Sequence, residues 1–398
     1  MNQNNEVKTN NAVEKPTALL NPTNPTKEPR HATVPDKPNA ENPHVIAKQS
    51  KKEGNSVNQN NEVKTNSVVE KPATPPNPTT PAKDLKRVIG PNKSIEGHPL
   101  IIAIDHGYGN IKTPTFIFPA CIRPSLDEVE QLLCDTLSFG GKHYIIGTGH
   151  KEFRHDKIMD EDYYILTLAA IGKELRHRHL TSAEVIIAAG LPLTWADYQH
   201  THFKEYLMKN PHVDFTYLGI DYHVDIKDVF IFSQGVAAIA HRIKKFTGIN
   251  MLVDIGNGTM NVFNINDKKV IKESFFTEKY GTYQCVILAR ELLQRHFSSI
   301  PMDPQIEKYM CSLHSDMGEK YKTIIADAAK QYVAELFRRL REREYDPDLM
   351  RLWVTGGGAC LVKNFGEFKP DRVIILNDIH ANARGYEALA KARLEMGA

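Results

Sequence analysis

The chain has 398 residues, of which 41% are hydrophobic, and its 50 basic and 48 acidic side chains give a formal net charge of +2. That much apolar sequence suffices for one large globular unit made of two subdomains. The near balance of charges argues against direct nucleic-acid binding through bulk electrostatic attraction.

The first 98 residues differ in composition from the rest of the chain. They contain 13 of the 23 prolines and none of the 33 aromatic residues, of which Tyr108 is the first. The string at 2–10 recurs unchanged at 58–66, and shorter strings nearby return at the same offset. A segment without aromatic residues cannot bury enough surface to offset the entropy of ordering, so we predict a disordered, repeat-containing tail at 1–98. Such a tail is a passive spacer or a binding segment for a partner.

The cysteines and the apolar runs bear on where the protein works. The five cysteines are scattered and never spaced as a CxxC pair, which predicts neither a disulfide framework nor a structural zinc site. No uninterrupted apolar stretch approaches the roughly 18 residues of a membrane-spanning helix. The N-terminal residues also lack the basic and apolar regions of a secretion signal. These features predict a cytoplasmic protein without membrane association.

The folded part is predicted to begin with an apolar strand at 99–105, which ends in Asp105. A glycine turn follows, and short strands are predicted at 111–112, 116–118 and 143–146. Helical spacing of apolar residues predicts helices over 160–178 and 195–209, separated by a buried strand at 185–189. Strands over 213–232 lead directly into a predicted helix at 235–246.

The same pattern restarts in the second half of the chain. An apolar strand at 251–254 ends in Asp254, a glycine turn follows, and 260–265 is predicted to form the return strand. We predict helices over 281–297, 316–344 and 381–395, with a strand at 352–354. Strands followed by helices, occurring twice, predict an α/β protein with two similar lobes and a cleft between them.

Two glycine hairpins are the candidate phosphate-binding segments of the chain. Each has an acid at the end of an apolar strand, followed by glycines and polar residues: Asp105, Gly107, Gly109, Asn110 and Lys112 in the first, and Asp254, Gly256, Asn257, Gly258 and Thr259 in the second. Glycine lets backbone N–H groups approach a phosphate, and a nearby carboxylate can hold the water shell of a phosphate-bridging Mg²⁺. One such hairpin is as easily an ordinary turn. Two of them from similar halves can close on one polyphosphate from both sides.

Five motifs in a fixed order make the chain similar to the actin-like ATPases, especially the ParM/StbA plasmid-segregation group. They are the first hairpin, the segment 233–238, the second hairpin, the glycine run 354–359 and the segment 381–386. In that family these positions form the first phosphate loop, first connecting helix, second phosphate loop, adenosine loop and second connecting helix. The resemblance covers about 99–398 and implies an actin-like (ribonuclease H-like) two-lobed ATPase fold. We expect lobe I at 99–250, completed by the C-terminal helix 381–398, and lobe II at 251–380.

The resemblance also implies catalytic and metal-binding roles. Asp105 and Asp254 are expected to hold Mg²⁺ through waters, and Gln234 is expected to align the water that attacks ATP. Lys112 is either a phosphate clamp or a solvated strand residue. His106 either fills its turn or senses pH, since its reference pKa is about 6.5.

Further nucleotide contacts are expected from the second half of the chain. Gly281 and Thr282 open a predicted helix and either contact ribose or phosphate or act as an ordinary cap. The adenosine loop would place a flat base on the backbone of three glycines, Gly356, Gly357 and Gly358.

The implied function is slow ATP hydrolysis coupled to polymerisation, with ATP or GTP and Mg²⁺ as cofactors. Homopolymer filaments would push or position plasmid DNA through a DNA-binding adaptor protein. The alternative is a non-polymerising nucleotide switch or scaffold of the same fold. A kinase of the sugar-kinase type is disfavoured because no acid is placed to deprotonate a sugar hydroxyl. One sequence cannot identify a filament contact, since such contacts are ordinary mixed patches.

Overall fold

Two β-sheets form the framework of the part of the chain that the structure describes. The computed structural model describes residues 99–125, 130, 133–148 and 161–397, so the predicted tail at 1–98 lies outside the described residues. The first sheet contains β1 (Leu100–His106), β2 (Asn110–Lys112), β3 (Ile117–Pro119), β4 (Ile122–Pro124), β5 (Thr136–Phe139), β6 (Lys142–Ile146), β7 (Ser182–Leu191), β8 (His212–Tyr217) and β9 (Ile220–Ser233). The second contains β10 (Ile249–Ile255), β11 (Met260–Asn266), β12 (Lys269–Glu278), β13 (Arg351–Thr355) and β14 (Val373–Ile375).

Eight α-helices have bounds within the described residues. They are α1 (Asp162–His177), α2 (Leu193–Leu207), α3 (Val236–Ile239), α4 (Thr282–Gln294), α5 (Asp303–Ser312), α6 (Glu319–Glu342), α7 (Ala359–Phe365) and α8 (Ala381–Gly397), with a 3₁₀ helix at Ala240–Lys245. None of these described helices is long and apolar enough to cross a membrane.

The two sheets share one strand order around their centres. The first runs β3-β2-β1-β7-β9 before continuing through β8, β5, β6 and β4, and the second runs β12-β11-β10-β13-β14. In both, the central strand pairs antiparallel with the next strand in the chain and parallel with a later one. The internal repeat predicted from the sequence is therefore confirmed at the level of topology.

The central strand β1 is covered on both faces, which explains its continuous apolar sequence. On one face Ile102 and Ile104 pack in the same cluster as the buried side chains of α1. On the other face Ile101 and Ala103 pack with residues of α8, among them Tyr386. A strand buried on both faces loses the alternation of apolar and polar residues. The C-terminal helix thus packs on the first sheet.

Helices α3 and α8 approach each other so closely that their backbones touch. A Cβ atom built on Gly385 of α8 would lie 2.0 Å from the carbonyl oxygen of Ala237 in α3. We expect Gly385→Ala to push the helices apart and to lower the free energy of unfolding by about 1–3 kcal/mol. Chemical denaturation measures this loss. The control is Gly397→Ala on the same helix, where the added Cβ meets nothing within 4 Å; equal stability of the two variants would contradict the close contact.

Some predicted elements differ from the observed ones. The helix predicted at 235–246 is α-helical only to Ile239 and continues as the 3₁₀ helix. Helix α5 was not predicted because it buries only Ile306 and Met310, which is too few residues to produce a clear helical period. Strand β12 was not predicted because its side chains are all exposed or half-buried, so its pattern shows no alternation.

The cysteines also depart from the prediction. Cys311 at the end of α5 and Cys360 in α7 form a disulfide, with their Cα atoms 5.2 Å apart. Cys134 and Cys285 are free thiols. The prediction that the chain lacks disulfides is therefore wrong for this pair. The two residues are 49 positions apart, and sequence spacing of that length carries no information on which cysteines meet.

Candidate functional site

A cavity of about 250 Å³ lies where β1 and β10 end, and both glycine hairpins line it. The acids that end these strands, Asp105 and Asp254, are 3% and 4% exposed. Fourteen of the sixteen predicted site residues line the cavity: Asp105, Gly107, Gly109, Asn110, Lys112, Gln234, Asp254, Gly256, Asn257, Gly258, Thr259, Thr282, Gly356 and Gly357. Gly281 and Gly358 do not. The fold thus gathers residues that are up to 252 positions apart into one place.

The two hairpins are in direct contact with each other. A Cβ atom on Gly109 of the first would lie 2.8 Å from Cγ of Asn257 in the second, so only glycine fits at this position without displacement. The second hairpin is closed by the backbone N–H of Gly256, which donates to the carbonyl oxygen of Thr259 at 2.8 Å. The hairpins therefore form one continuous loop surface.

Asp105 is held by a cation and an amide. Lys112 Nζ lies 3.2 Å from Asp105 Oδ2, and the lysine side chain is only 16% exposed. Gln234 Nε2 donates to Asp105 Oδ1 at 3.1 Å. Gln234 follows β9 and precedes Gly235, which has a φ of +77° and is the N-cap residue of α3. The structure therefore places Gln234 in the turn before the connecting helix rather than in the helix itself.

Asp254 is buried beside the other acid and has a different set of partners. Asn382 Nδ2 donates to Asp254 Oδ2 at 2.9 Å, and no lysine or arginine among the described residues forms an ion pair with this carboxylate. Burial raises the pKa of Asp254 to about 6; the negative charge of Asp105 adds to this rise, while the Asn382 hydrogen bond and Lys112 oppose it. Ionised Asp254 is therefore a buried anion that a bound cation would stabilise.

Asn382 was missed as a site residue by the sequence analysis. Its Oδ1 accepts a hydrogen bond from the backbone N–H of Gly235 at 2.9 Å, while its Nδ2 binds Asp254. Hydrogen bonds therefore join Lys112 and Gln234 to Asp105, and Asn382 joins Gly235, the residue after Gln234, to Asp254. The only signal for Asn382 was its position in the segment 381–386, which resembles a family motif.

Tyr386, one turn further along α8, lies close to Asp105 and Asp254. Its side chain is fully buried, and a Cβ atom on Gly190 would lie 2.2 Å from its hydroxyl oxygen. Burial, with the charges of Asp105 and Asp254, raises the pKa of Tyr386 well above its ordinary value. The hydroxyl therefore stays protonated beside the two acids.

Two predicted glycines support the loops from outside the cavity. A Cβ on Gly281 would lie 2.1 Å from the carbonyl oxygen of Asn257, and a Cβ on Gly358 would lie 2.3 Å from Cγ2 of Ile255. The first amide of α4, on Thr282, donates to the carbonyl oxygen of Gly256 at 2.9 Å. The start of α4 thus holds the second hairpin, and its first N–H is directed at that hairpin.

The glycine run 354–359 contributes a further part of the cavity lining. Gly356 has a φ of +83°, and a Cβ there would lie 2.4 Å from Asp254 Oδ1, so both conformation and space require glycine. Helix α5 also lines the cavity, through Glu307, Met310 and Cys311. These three residues were missed because the helix that carries them was not predicted.

His106 lies next to Asp105 but is engaged elsewhere. Its ring is fully buried, and its Nε2 lies 2.8 Å from Thr167 Oγ1 on α1. Thr167 donates its hydroxyl proton to the carbonyl oxygen of Tyr163 at 2.6 Å, so the histidine donates from Nε2. This bond supports a structural role for His106 in its turn.

The donor set fits a hydrated magnesium ion rather than a closed metal cage. The described part of the chain brings together no group of three or more histidine, cysteine, aspartate or glutamate side chains suited to a metal ion. Magnesium is usually bound through one or two carboxylates, with waters and phosphates completing its octahedron. Two buried aspartates beside glycine loops that leave room for phosphate meet that requirement.

Comparisons with known proteins agree with this geometry. Residues 103–236 match the family described as the actin-like proteins N-terminal domain. The archaeal actin homolog Ta0583 is 21% identical, with 74% of this chain and 99% of that chain covered and a TM-score of 0.58. The apo pSK41 ParM protein is 19% identical (74% and 98% covered, TM-score 0.55), and a ParM from a 15-stranded Clostridium botulinum filament is 20% identical (74% and 99% covered, TM-score 0.58). A search of curated protein sequences finds no significant match.

These comparisons establish the fold of the chain and a partial match to one family. The chain has the α/β fold of actin homologues, and its residues 103–236 are similar to the N-terminal domain of the actin-like proteins. The resemblance predicted from the five motifs is thereby confirmed, and ParM proteins are among its structural neighbours.

Proposed function

We propose that the chain binds and hydrolyses ATP and uses this reaction to control its assembly into filaments that segregate plasmid DNA in the cytoplasm. The observation that carries the proposal is the convergence of two contacting glycine hairpins, two buried aspartates and Gln234 on one cavity. An ADP complex of the archaeal homolog and an AMPPNP complex of a Bacillus thuringiensis ParM support nucleotide binding. The ParM filament and an Alp12 filament support self-association.

Each group of cavity residues has its own role in the proposed phosphoryl transfer to water. The backbone N–H groups of the two hairpins would hold the phosphates, with Lys112 as a clamp, and Asp105 and Asp254 would hold hydrated Mg²⁺. Bound Mg²⁺ supplies neutralisation of the charge that develops on the phosphate oxygens. Gln234 orients the attacking water through the amide that Asp105 fixes. The glycine run with Gly356 and Gly357 would support the base.

We propose that lobe I spans 99–250 with the helix 381–398, that lobe II spans 251–380, and that the tail at 1–98 is a spacer outside the site. Deleting residues 1–98 is expected to leave nucleotide affinity unchanged, because every cavity-lining residue of the described chain lies between Asp105 and Asn382. Titration of a fluorescent ATP analogue into full-length and truncated protein measures this. Loss of affinity on truncation would refute the lobe I boundary.

Polymerisation decides between the proposed filament and a non-polymerising switch of the same fold. Light scattering and negative-stain microscopy with Mg-ATP, at several protein concentrations, are expected to reveal a critical concentration for filament growth. Flat scattering with retained ATPase activity would support the switch instead. The same assay with GTP tests nucleotide preference.

DNA attachment is proposed to require a DNA-binding adaptor protein, because the chain as a whole is nearly neutral at a formal charge of +2. Filaments that co-sediment with bare DNA at physiological salt, without any added protein, would contradict this requirement.

A further inference from the structure

The Cys311–Cys360 pair connects two elements that border the proposed nucleotide cavity. Cys311 lies at the end of α5 and itself lines the cavity. Cys360 is the second residue of α7, directly after the glycine run that also lines the cavity, and its Sγ lies 3.1 Å from the carbonyl oxygen of Gly357. A bond between these sulfur atoms therefore ties α5 to the loop proposed to support the base.

The two cysteines are held together by contacts that do not involve sulfur. Asn364 Nδ2 on α7 donates to the carbonyl oxygens of Met310 and Cys311, both at 2.9 Å. These bonds fix the end of α5 against α7. The Cα–Cα distance of 5.2 Å lies within the range that a disulfide spans, about 4.4–6.8 Å. The disulfide can therefore open and close without a rearrangement of the backbone.

Solvent access distinguishes this pair from two of the remaining cysteines. Cys311 is exposed and Cys360 is half-buried. Cys121 and Cys285 are buried, and burial raises the pKa of Cys285 to about 12. A dissolved oxidant therefore reaches the exposed Cys311 before it reaches these buried residues. The thiolate is the reactive form, and the raised pKa of Cys285 disfavours that form.

We propose that Cys311 and Cys360 are a reversible oxidation site that controls nucleotide exchange, a role that rests on the proposed binding of nucleotide in the adjacent cavity. A peroxide is the oxidant: one thiolate attacks the peroxide O–O bond to form a sulfenic acid and releases water or an alcohol. The second thiol then attacks that sulfur and releases water, so two thiols lose two electrons and the peroxide gains them. A dithiol reductant reverses the reaction by thiol–disulfide exchange.

The expected consequence is slower release of nucleotide from the oxidised protein. Met310 and Cys311 on α5 line the cavity, and so do Gly356 and Gly357 of the glycine run. We expect release of a base to require a transient movement of the end of α5 away from the glycine run. In the reduced protein this movement breaks the Asn364 hydrogen bonds, whereas in the oxidised protein the covalent link suppresses it. We expect the oxidised form to release a bound nucleotide at least about fivefold more slowly than the reduced form.

The test compares full-length protein treated with hydrogen peroxide or with dithiothreitol, each then removed. Peptide mapping without reduction is expected to find the Cys311–Cys360 link only after peroxide. Stopped-flow release of a fluorescent ATP analogue is expected to slow in the same sample. Cys360→Ser, which does not line the cavity, should abolish both effects. Cys134→Ser, at a half-buried free thiol, should retain both.

The outcomes separate this inference from the proposed function. Unchanged release despite a complete Cys311–Cys360 link would overturn the redox role, as would an equal slowing in Cys360→Ser. A dithiothreitol-treated protein that binds no nucleotide at all would refute the nucleotide site itself, and this role with it.

Discussion

Replacing Gln234 with alanine is expected to leave nucleotide binding intact while lowering the rate of ATP hydrolysis by about a hundredfold or more. The side chain is 7% exposed and donates to Asp105 Oδ1 at 3.1 Å, but it is not part of either hairpin. Its removal therefore spares the phosphate contacts and deprives the attacking water of its proposed partner. Phosphate release at saturating Mg-ATP measures the rate, and titration of a fluorescent analogue measures affinity.

Gln294→Ala is the matched control for this prediction. Gln294 is the last residue of α4, is exposed, and lies outside the cavity. We expect that variant to hydrolyse ATP at the wild-type rate. If Gln234→Ala loses both binding and turnover, or keeps both, the proposed role of Gln234 is wrong.

Asp254→Asn is expected to stabilise the metal-free protein at neutral pH and to abolish the contribution of Mg²⁺ to nucleotide affinity. Burial, with Asp105 nearby, raises the pKa of Asp254 from 3.8 to about 6, so the folded state binds this proton more tightly than the unfolded state does. Tighter proton binding by Asp254 stabilises the folded state. This stabilisation is complete below pH 3.8 and is lost as the pH rises to about 6. Above that pH the buried charge costs on the order of 2–3 kcal/mol, which the neutral amide avoids.

Thermal unfolding in EDTA at several pH values measures the stability effect of Asp254→Asn. The variant is expected to have the higher Tm at pH 7–8, with the difference vanishing near pH 4. Nucleotide titrations with Mg²⁺ and with EDTA measure the second effect. Asp316→Asn, at an exposed aspartate, should change neither property. Equal Tm values at neutral pH, or a persistent Mg²⁺ effect in Asp254→Asn, would argue against this account of Asp254.

The sequence predicted the parts of the cavity that follow from local patterns. Asp105 and Asp254 were identified because each ends an apolar run and precedes glycines, and both of these signals lie within a few residues of the acid. Asn382 was not identified, although it binds Asp254 directly, because 128 positions separate the two residues. Contacts between distant elements depend on how helix α8 packs across the first sheet, and no local period encodes that packing.

The two predicted site residues that do not line the cavity illustrate the same dependence on packing. Gly281 and Gly358 were predicted to touch the nucleotide because they stand at the start of a helix and in a glycine run. The structure uses the absence of their Cβ atoms to bring Asn257 and Ile255 close. Whether a glycine faces a ligand or a neighbouring chain segment depends on tertiary packing, which the sequence pattern leaves open.

The two hydrogen bonds of the Asn382 side chain constrain how the two sheets can move relative to each other. A single carboxamide connects Asp254 of the second sheet with the backbone that immediately follows Gln234. A rotation of one sheet against the other either carries Gln234 and Asp254 along together or breaks at least one of these bonds. Shape changes at this joint should therefore proceed by discrete steps between defined forms rather than as a graded flexing.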